Sequence, residues 1–204
     1  MIKNIIFDFG DVFINLDKEI VFREALKYGS LDRITTEVQR INQAYEVGQI
    51  SSEVFIAHMK TVFPEINEAQ IRAIWNGMLL DFPRYRLEFI EALALKKTHR
   101  LFLLSNTNAM HIDQVQEIMG RPDYNRFKGC FEQFYLSHEI GMRKPDAEIF
   151  QFVLSQNHLE PQETLFIDDT QENTQAAKQL GIRIWNLQVG QEDVIHLNDR
   201  LPHV

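Results

Sequence analysis

Three apolar runs in this chain of 204 residues end in oxygen-bearing side chains, and a fourth motif sets a lysine beside a proline. The runs are Ile5-Ile6-Phe7-Asp8-Phe9-Gly10-Asp11-Val12, Leu103-Leu104-Ser105-Asn106-Thr107-Asn108 and Leu165-Phe166-Ile167-Asp168-Asp169. Between the last two lies Gly141-Met142-Arg143-Lys144-Pro145-Asp146. Asp8 offers a carboxylate nucleophile, which can attack phosphorus and split one hard displacement into two easier ones. Asp8, Asp169 and the Gly10 carbonyl offer the oxygen donors that Mg2+ favours. Lys144 supplies a point charge to keep Asp8 ionised and to neutralise transferring oxygens. Ser105 and the Asn106 amide at a helix start can bind the remaining phosphoryl oxygens. This is the equipment of a magnesium-dependent phosphoryl-transfer site.

Such residues converge only if the fold brings strand ends together. Residues 2 to 8 read as a short buried strand. From Pro83 the rhythm alternates: helix 84–97, strand 100–105, helix 109–119, strand 133–137, helix to about 157 with Pro145 first, strand 164–168, helix 171–180 and strand 182–186. That alternation predicts a parallel sheet with helices on both faces, a three-layer α/β Rossmann-like fold. Ligands of such sheets bind beyond the carboxyl ends of the strands, where Asp8, Ser105, Asp168 and Asp169 all fall.

Residues 16 to about 82 are different, with four helical patterns and no strand. Ile34, Val38, Ile41 and Tyr45 mark one stripe, and Phe55, Met59 and Val62 another. Ser51 or Ser52 can cap the second helix; Asn67 with Gln70 reads as a capping box for a helix bearing Ile71, Ile74, Trp75 and Met78. The expected division is a core of 1–15 and 84–204 with a helical-bundle cap of 16–83. Hinges are expected at Ile14-Asn15-Leu16 and Asp81-Phe82-Pro83. The tail from Gln188 to Val204 is expected to add a helix.

The formal net charge of −8 argues against nucleic acid or an anionic membrane as the main partner. It leaves room for a small phosphorylated metabolite, because a cation and a lysine reverse the field locally. Cys130 is the only cysteine, so no internal disulfide is expected. No apolar run approaches the ~20 residues of a spanning helix, and Met1-Ile2-Lys3-Asn4 leaves no room for a signal peptide. The expectation is a cytoplasmic protein, monomer or homodimer.

With the helical insertion after the first strand, these motifs resemble the haloacid dehalogenase superfamily, most of whose members are phosphatases. They look most like a narrower group of bacterial α-D-glucose-1-phosphate phosphatases. The resemblance covers the whole chain. It implies an Mg2+-dependent hydrolase of phosphomonoesters, with nucleophile Asp8, phosphate clamp Ser105 and Asn106, neutralising Lys144, and Asp169 as the metal ligand beside the Asp8 and Gly10 oxygens already named. Asp168 and Asn173 are implied as supporting groups.

Gly10 departs from the superfamily pattern, in which a second aspartate acts as general acid and base. Without a donor the leaving oxygen departs as an anion or takes a proton from water, a loss of ~100-fold or more. Anomeric, aryl or acyl phosphates, glucose 1-phosphate among the first, have more acidic leaving groups and are therefore the expected substrates. Asp11 is the alternative donor; an extended backbone would turn it away from Asp8, as a loop-stabilising residue. Tyr45-Glu46-Val47-Gly48-Gln49 is the expected substrate loop, with Tyr45 and Glu46 facing the nucleophile. Phe55, Met59 and Trp75 are assigned to cap packing, and His58, His111 and His138 to surface or packing roles.

Rival readings are a 2-haloacid dehalogenase, disfavoured by the paired Asp168 and Asp169, and a phosphonate hydrolase, for which Lys27 and Lys60 are formal amine candidates. A phosphomutase would need a base. A non-catalytic sugar-phosphate-binding protein would account for Gly10.

Overall fold

A computed structural model describes residues 1–27 and 36–203; Ile34 and Val204 lie outside them. Five strands form one sheet: β1 (Asn4–Phe7), β2 (Arg100–Ser105), β3 (Gln133–Leu136), β4 (Thr164–Asp168) and β5 (Arg183–Asn186). The order is β3-β2-β1-β4-β5, and every pairing is parallel. β1 is buried at every position, as a central strand covered on both faces requires. Phe7 lies level with Leu103 on one side and Ile167 on the other. That register sets Asp8 beside Asp168, one residue short of Ser105.

The insertion carries α1 (Ile20–Lys27), α2 (Thr36–Glu46), α3 (Ser52–Val62) and α4 (Glu68–Asn76). Ser51 caps α3 by accepting from Val54 N, and Asn67 and Gln70 close a capping box on α4. Val38, Ile41, Tyr45, Phe55, Met59 and Trp75 pack into a hydrophobic cluster of their own, joined by Met110. The two connections to the sheet pair with each other: Asp17 N donates to Met78 O, Leu80 N to Asn15 O and Asn15 N to Asp81 O. The insertion is thus carried on a short antiparallel ribbon.

The sheet is covered by α5 (Arg84–Lys96), α6 (Ala109–Met119), α7 (Arg121–Lys128), α8 (Ser137–Ile140), α9 (Ala147–Asn157) and α10 (Gln171–Gln179). Two elements correct the sequence reading. The helix expected to begin at Pro145 begins at Ala147, after an extended Asp146. The reason is a tertiary contact: Asn106 accepts from Lys144 N at 2.9 Å and donates to Lys144 O at 2.8 Å, pinning the backbone before a helix can form. The Lys144–Pro145 peptide is cis. Helix α7 was not expected, because only Tyr124 and Phe127 of its eight residues are buried. Phe127 nevertheless centres an aromatic cluster, 5.0 Å from Phe13 and Phe131, 5.4 Å from Phe9 and 5.3 Å from Phe82. It holds the loop that follows β1.

The tail folds as 3-10 turns around a four-residue helix, α11 (Leu197–Arg200). Its Asp193 binds the Nε and Nη2 of buried Arg86, whose Nη1 reaches Phe13 O and Asn15 Oδ1. No helix among the described residues is long and apolar enough to cross a membrane.

Candidate active site

Asp8, Asp168 and Asp169 each bring a carboxylate oxygen to within 4.8 Å of the others, at the carboxyl ends of β1 and β4. Three carboxylates so close repel unless cations or protons intervene. Lys144 Nζ intervenes, 2.7 Å from Asp8 Oδ1 and 2.6 Å from Asp168 Oδ2, with 1% of its side chain exposed. Burial alone would lower the Lys144 pKa, but Asp168 and Asp8 outweigh it and hold it above the ordinary lysine value. Burial lifts the Asp8 pKa to about 7, against the opposing pull of Lys144. A bound cation would favour the carboxylate form.

Asp168 is fully engaged. Besides Lys144 it accepts from Asn173 Nδ2 at 3.0 and 3.2 Å and from Thr170 N at 2.8 Å. Such saturation is what a completely buried charge requires. It leaves Asp8 and Asp169 as the carboxylates able to hold a divalent cation, and hard oxygen donors of this kind fit Mg2+. The Asp169 pKa is raised by burial, against the pull of Lys18.

Ser105 ends β2 with 3% exposure, and its hydroxyl makes one long contact, 3.5 Å to Asn106 O, among the described residues. That hydroxyl can turn to a ligand. The side chain of Asn106, by contrast, is spent on the Lys144 backbone, so it positions the lysine. Helix α6 starts three residues later at Ala109, with Asn108 as N-cap accepting from His111 N.

Gly10 leaves no room for a side chain unless Leu16 moves, since a Cβ would lie 2.7 Å from Leu16 Cδ1. Asp11 takes the left-handed backbone (φ 54°), not the extended one the sequence suggested. Its two oxygens are occupied, Oδ1 by Leu16 N at 3.0 Å and Oδ2 by Lys18 Nζ at 2.9 Å. The residue stabilises the loop.

The expected substrate loop divides. Tyr45 turns inward, 2% exposed and stacked on Phe55; its hydroxyl lies 2.7 Å from Ser52 Oγ and accepts from Met110 N. The placement of Tyr45 at the substrate is therefore corrected: an amphipathic ring whose hydroxyl is satisfied packs better inside the helical cluster. Glu46 docks the insertion on the core, with its carboxylate 3.0 Å from Arg143 Nε and its carbonyl 2.6 Å from Ser137 Oγ. Gly48 (φ 68°) continues the docking, since a Cβ there would lie 2.2 Å from His138 O. Sequence reasoning missed Lys18, Arg86, Arg143 and Ser137. No motif marks Lys18, Arg86 or Ser137, whereas Arg143 stands inside the motif of Lys144.

His111 is buried at the same junction. Asn108 Nδ2 lies 3.2 Å from its Nδ1, so Nε2 carries the hydrogen toward Trp75 O at 3.2 Å. Burial lowers its pKa to about 4 and keeps it neutral.

Known proteins resemble this chain over most of its length. The family described as haloacid dehalogenase-like hydrolase matches residues 2–181. A D-ribitol-5-phosphate phosphatase of Bacteroides thetaiotaomicron is 30% identical over 195 residues, covering 93% of this chain and 94% of the relative. A crystal structure of a family enzyme from Bacteroides thetaiotaomicron, in complex with magnesium and inorganic phosphate, superposes with a TM-score of 0.80. It is 32% identical, over 97% of this chain and 99% of that one. A family hydrolase from Porphyromonas gingivalis gives 0.81 at 29% identity, over 100% and 99% of the two chains. The chain belongs to the haloacid dehalogenase-like hydrolases.

Proposed function

We propose that the protein is an Mg2+-dependent phosphatase of small sugar or polyol monophosphates, acting through an aspartyl-phosphate on Asp8. The observation that carries this is the buried Lys144 ammonium shared by Asp8 and Asp168, with Asp169 beside them. In this reading an Asp8 oxygen attacks phosphorus and the bond to the leaving oxygen breaks. That oxygen takes its proton from water. A second water then attacks phosphorus, releasing phosphate and regenerating the Asp8 carboxylate. Lys144 offsets charge on the transferring oxygens, and the Ser105 hydroxyl and the amides before α6 receive the others. Asp8, the Gly10 carbonyl and Asp169 would hold Mg2+, which supplies charge neutralisation between nucleophile and phosphate. The helices of 16–83 serve as a cap over a core of 1–15 and 84–204.

The leaving group sets the substrate range. Gly10 points to anomeric phosphates such as glucose 1-phosphate. The relative named for D-ribitol 5-phosphate points to open-chain polyol phosphates, whose leaving alcohol is ordinary. The broader class, sugar and polyol monophosphates, accommodates both.

The test is phosphate release from ribitol 5-phosphate, glucose 1-phosphate and glycerol phosphate, with and without Mg2+, in wild type and Asp8→Asn. The expected result is turnover of at least one, lost on chelation and reduced by ~10⁴-fold or more in Asp8→Asn. Turnover that survives either treatment would overturn the mechanism.

A further inference from the structure

Lys18 enters the site from the ribbon that carries the insertion. Its ammonium lies 2.5 Å from Asp169 Oδ2 and 2.9 Å from Asp11 Oδ2. With 48% of the side chain exposed it is the more accessible of the two lysines here, against 1% for Lys144. Four carboxylates thus meet two ammoniums. Lys144 bridges the inner pair, Asp8 and Asp168, and Lys18 bridges the outer pair, Asp11 and Asp169.

We propose that Lys18 is a positioning residue that competes with the divalent cation for Asp169, with Asp11 as its alternative anchor. The inference rests on the metal reading above. A lysine ammonium and a dication drawn to the same carboxylate repel each other at contact range, and Lys18 is the partner with somewhere else to go. Asp11 is built to receive it: the left-handed backbone and the Leu16 N bond to Oδ1 hold Oδ2 toward the lysine. Lys18 is joined to the site through these two bonds and to the insertion through the adjacent Asp17, whose N donates to Met78 O. Cation uptake and seating of the insertion therefore draw on one residue.

Calorimetric titration of the substrate-free protein with Mg2+ tests this. Lys18→Met should bind roughly tenfold more tightly than wild type, the effect of removing one positive charge at this range. Lys18→Arg, which keeps the charge, should remain near wild type. Asp11→Asn should bind a fewfold more weakly, because Lys18 then leans wholly on Asp169. Unchanged or weaker binding by Lys18→Met would overturn the proposal, as would Lys18→Arg binding as tightly as Lys18→Met. Absence of Mg2+ binding by wild type and variants alike would overturn the metal site itself, and the competition with it.

Discussion

Two carboxylate–ammonium clusters lie side by side at the same strand ends and are built differently. In the inner one, Asp8, Lys144 and Asp168 are buried, and Asp168 is saturated by Asn173 and Thr170 as well. In the outer one, Asp11 and Asp169 are as sheltered as Asp8, but Lys18 is half exposed. Water sets the difference. A buried charge cannot lose its partner without a large desolvation penalty, whereas an exposed lysine can return to solvent. The inner cluster is thus fixed framework and the outer one is exchangeable.

That contrast can be broken in order of expected size. Lys144→Met leaves Asp8 and Asp168 buried without a counter-charge and should cost ~3–5 kcal/mol in denaturant unfolding. A loss below ~1 kcal/mol would mean the inner cluster is no more fixed than the outer.

The pH dependence of stability needs a control outside both clusters, and His111 provides it. The unfolded chain protonates this histidine near its usual 6.5, the folded one only at about 4. The unfolded state therefore binds the extra proton in that window, so stability falls as pH drops through it, by up to ~3 kcal/mol. His111→Gln should flatten that slope; an unchanged slope would return the acid sensitivity to the carboxylates.

Asn173→Ala removes the amide that Asp168 accepts from and should cost ~1–3 kcal/mol. Urea midpoints measured at fixed pH would show it, and a neutral result would mean that Lys144 alone suffices for Asp168. Smallest is the outer cluster: Lys18→Met should change stability by less than ~1 kcal/mol while altering Mg2+ affinity as described above. A stability loss matching that of Lys144→Met would erase the contrast.

The strand-end motifs were legible because each combines an apolar run with a polar terminus, a pattern that parallel sheets impose on adjacent residues. The capping box of Asn67 and Gln70 was legible for the same reason, since its chemistry spans four residues. What escaped depends on pairs distant in sequence. Lys18 is ordinary until Asp169 is placed beside it, and Arg86 is a surface-type residue until Asp193 arrives. Tyr45 was misplaced because helical periodicity marks it as apolar but does not say whether the stripe faces its own bundle or the site. Pro145 was read by a local rule for helix starts, which the side chain of Asn106, 38 residues earlier, overrides.

Arg86 also bears on how the chain is made. Strand β1 precedes both of its sheet partners in the chain: β2 follows the whole insertion, and β4 begins at Thr164. The loop beyond Asp8 is then held through Phe13 and Asn15 by an arginine whose counter-ion is Asp193. Lys144 and Asp169 likewise follow Asp8 by more than a hundred residues. A nascent chain therefore carries Asp8 well before the residues that surround it, and the strand-end cluster cannot assemble until Asp169 has been synthesised.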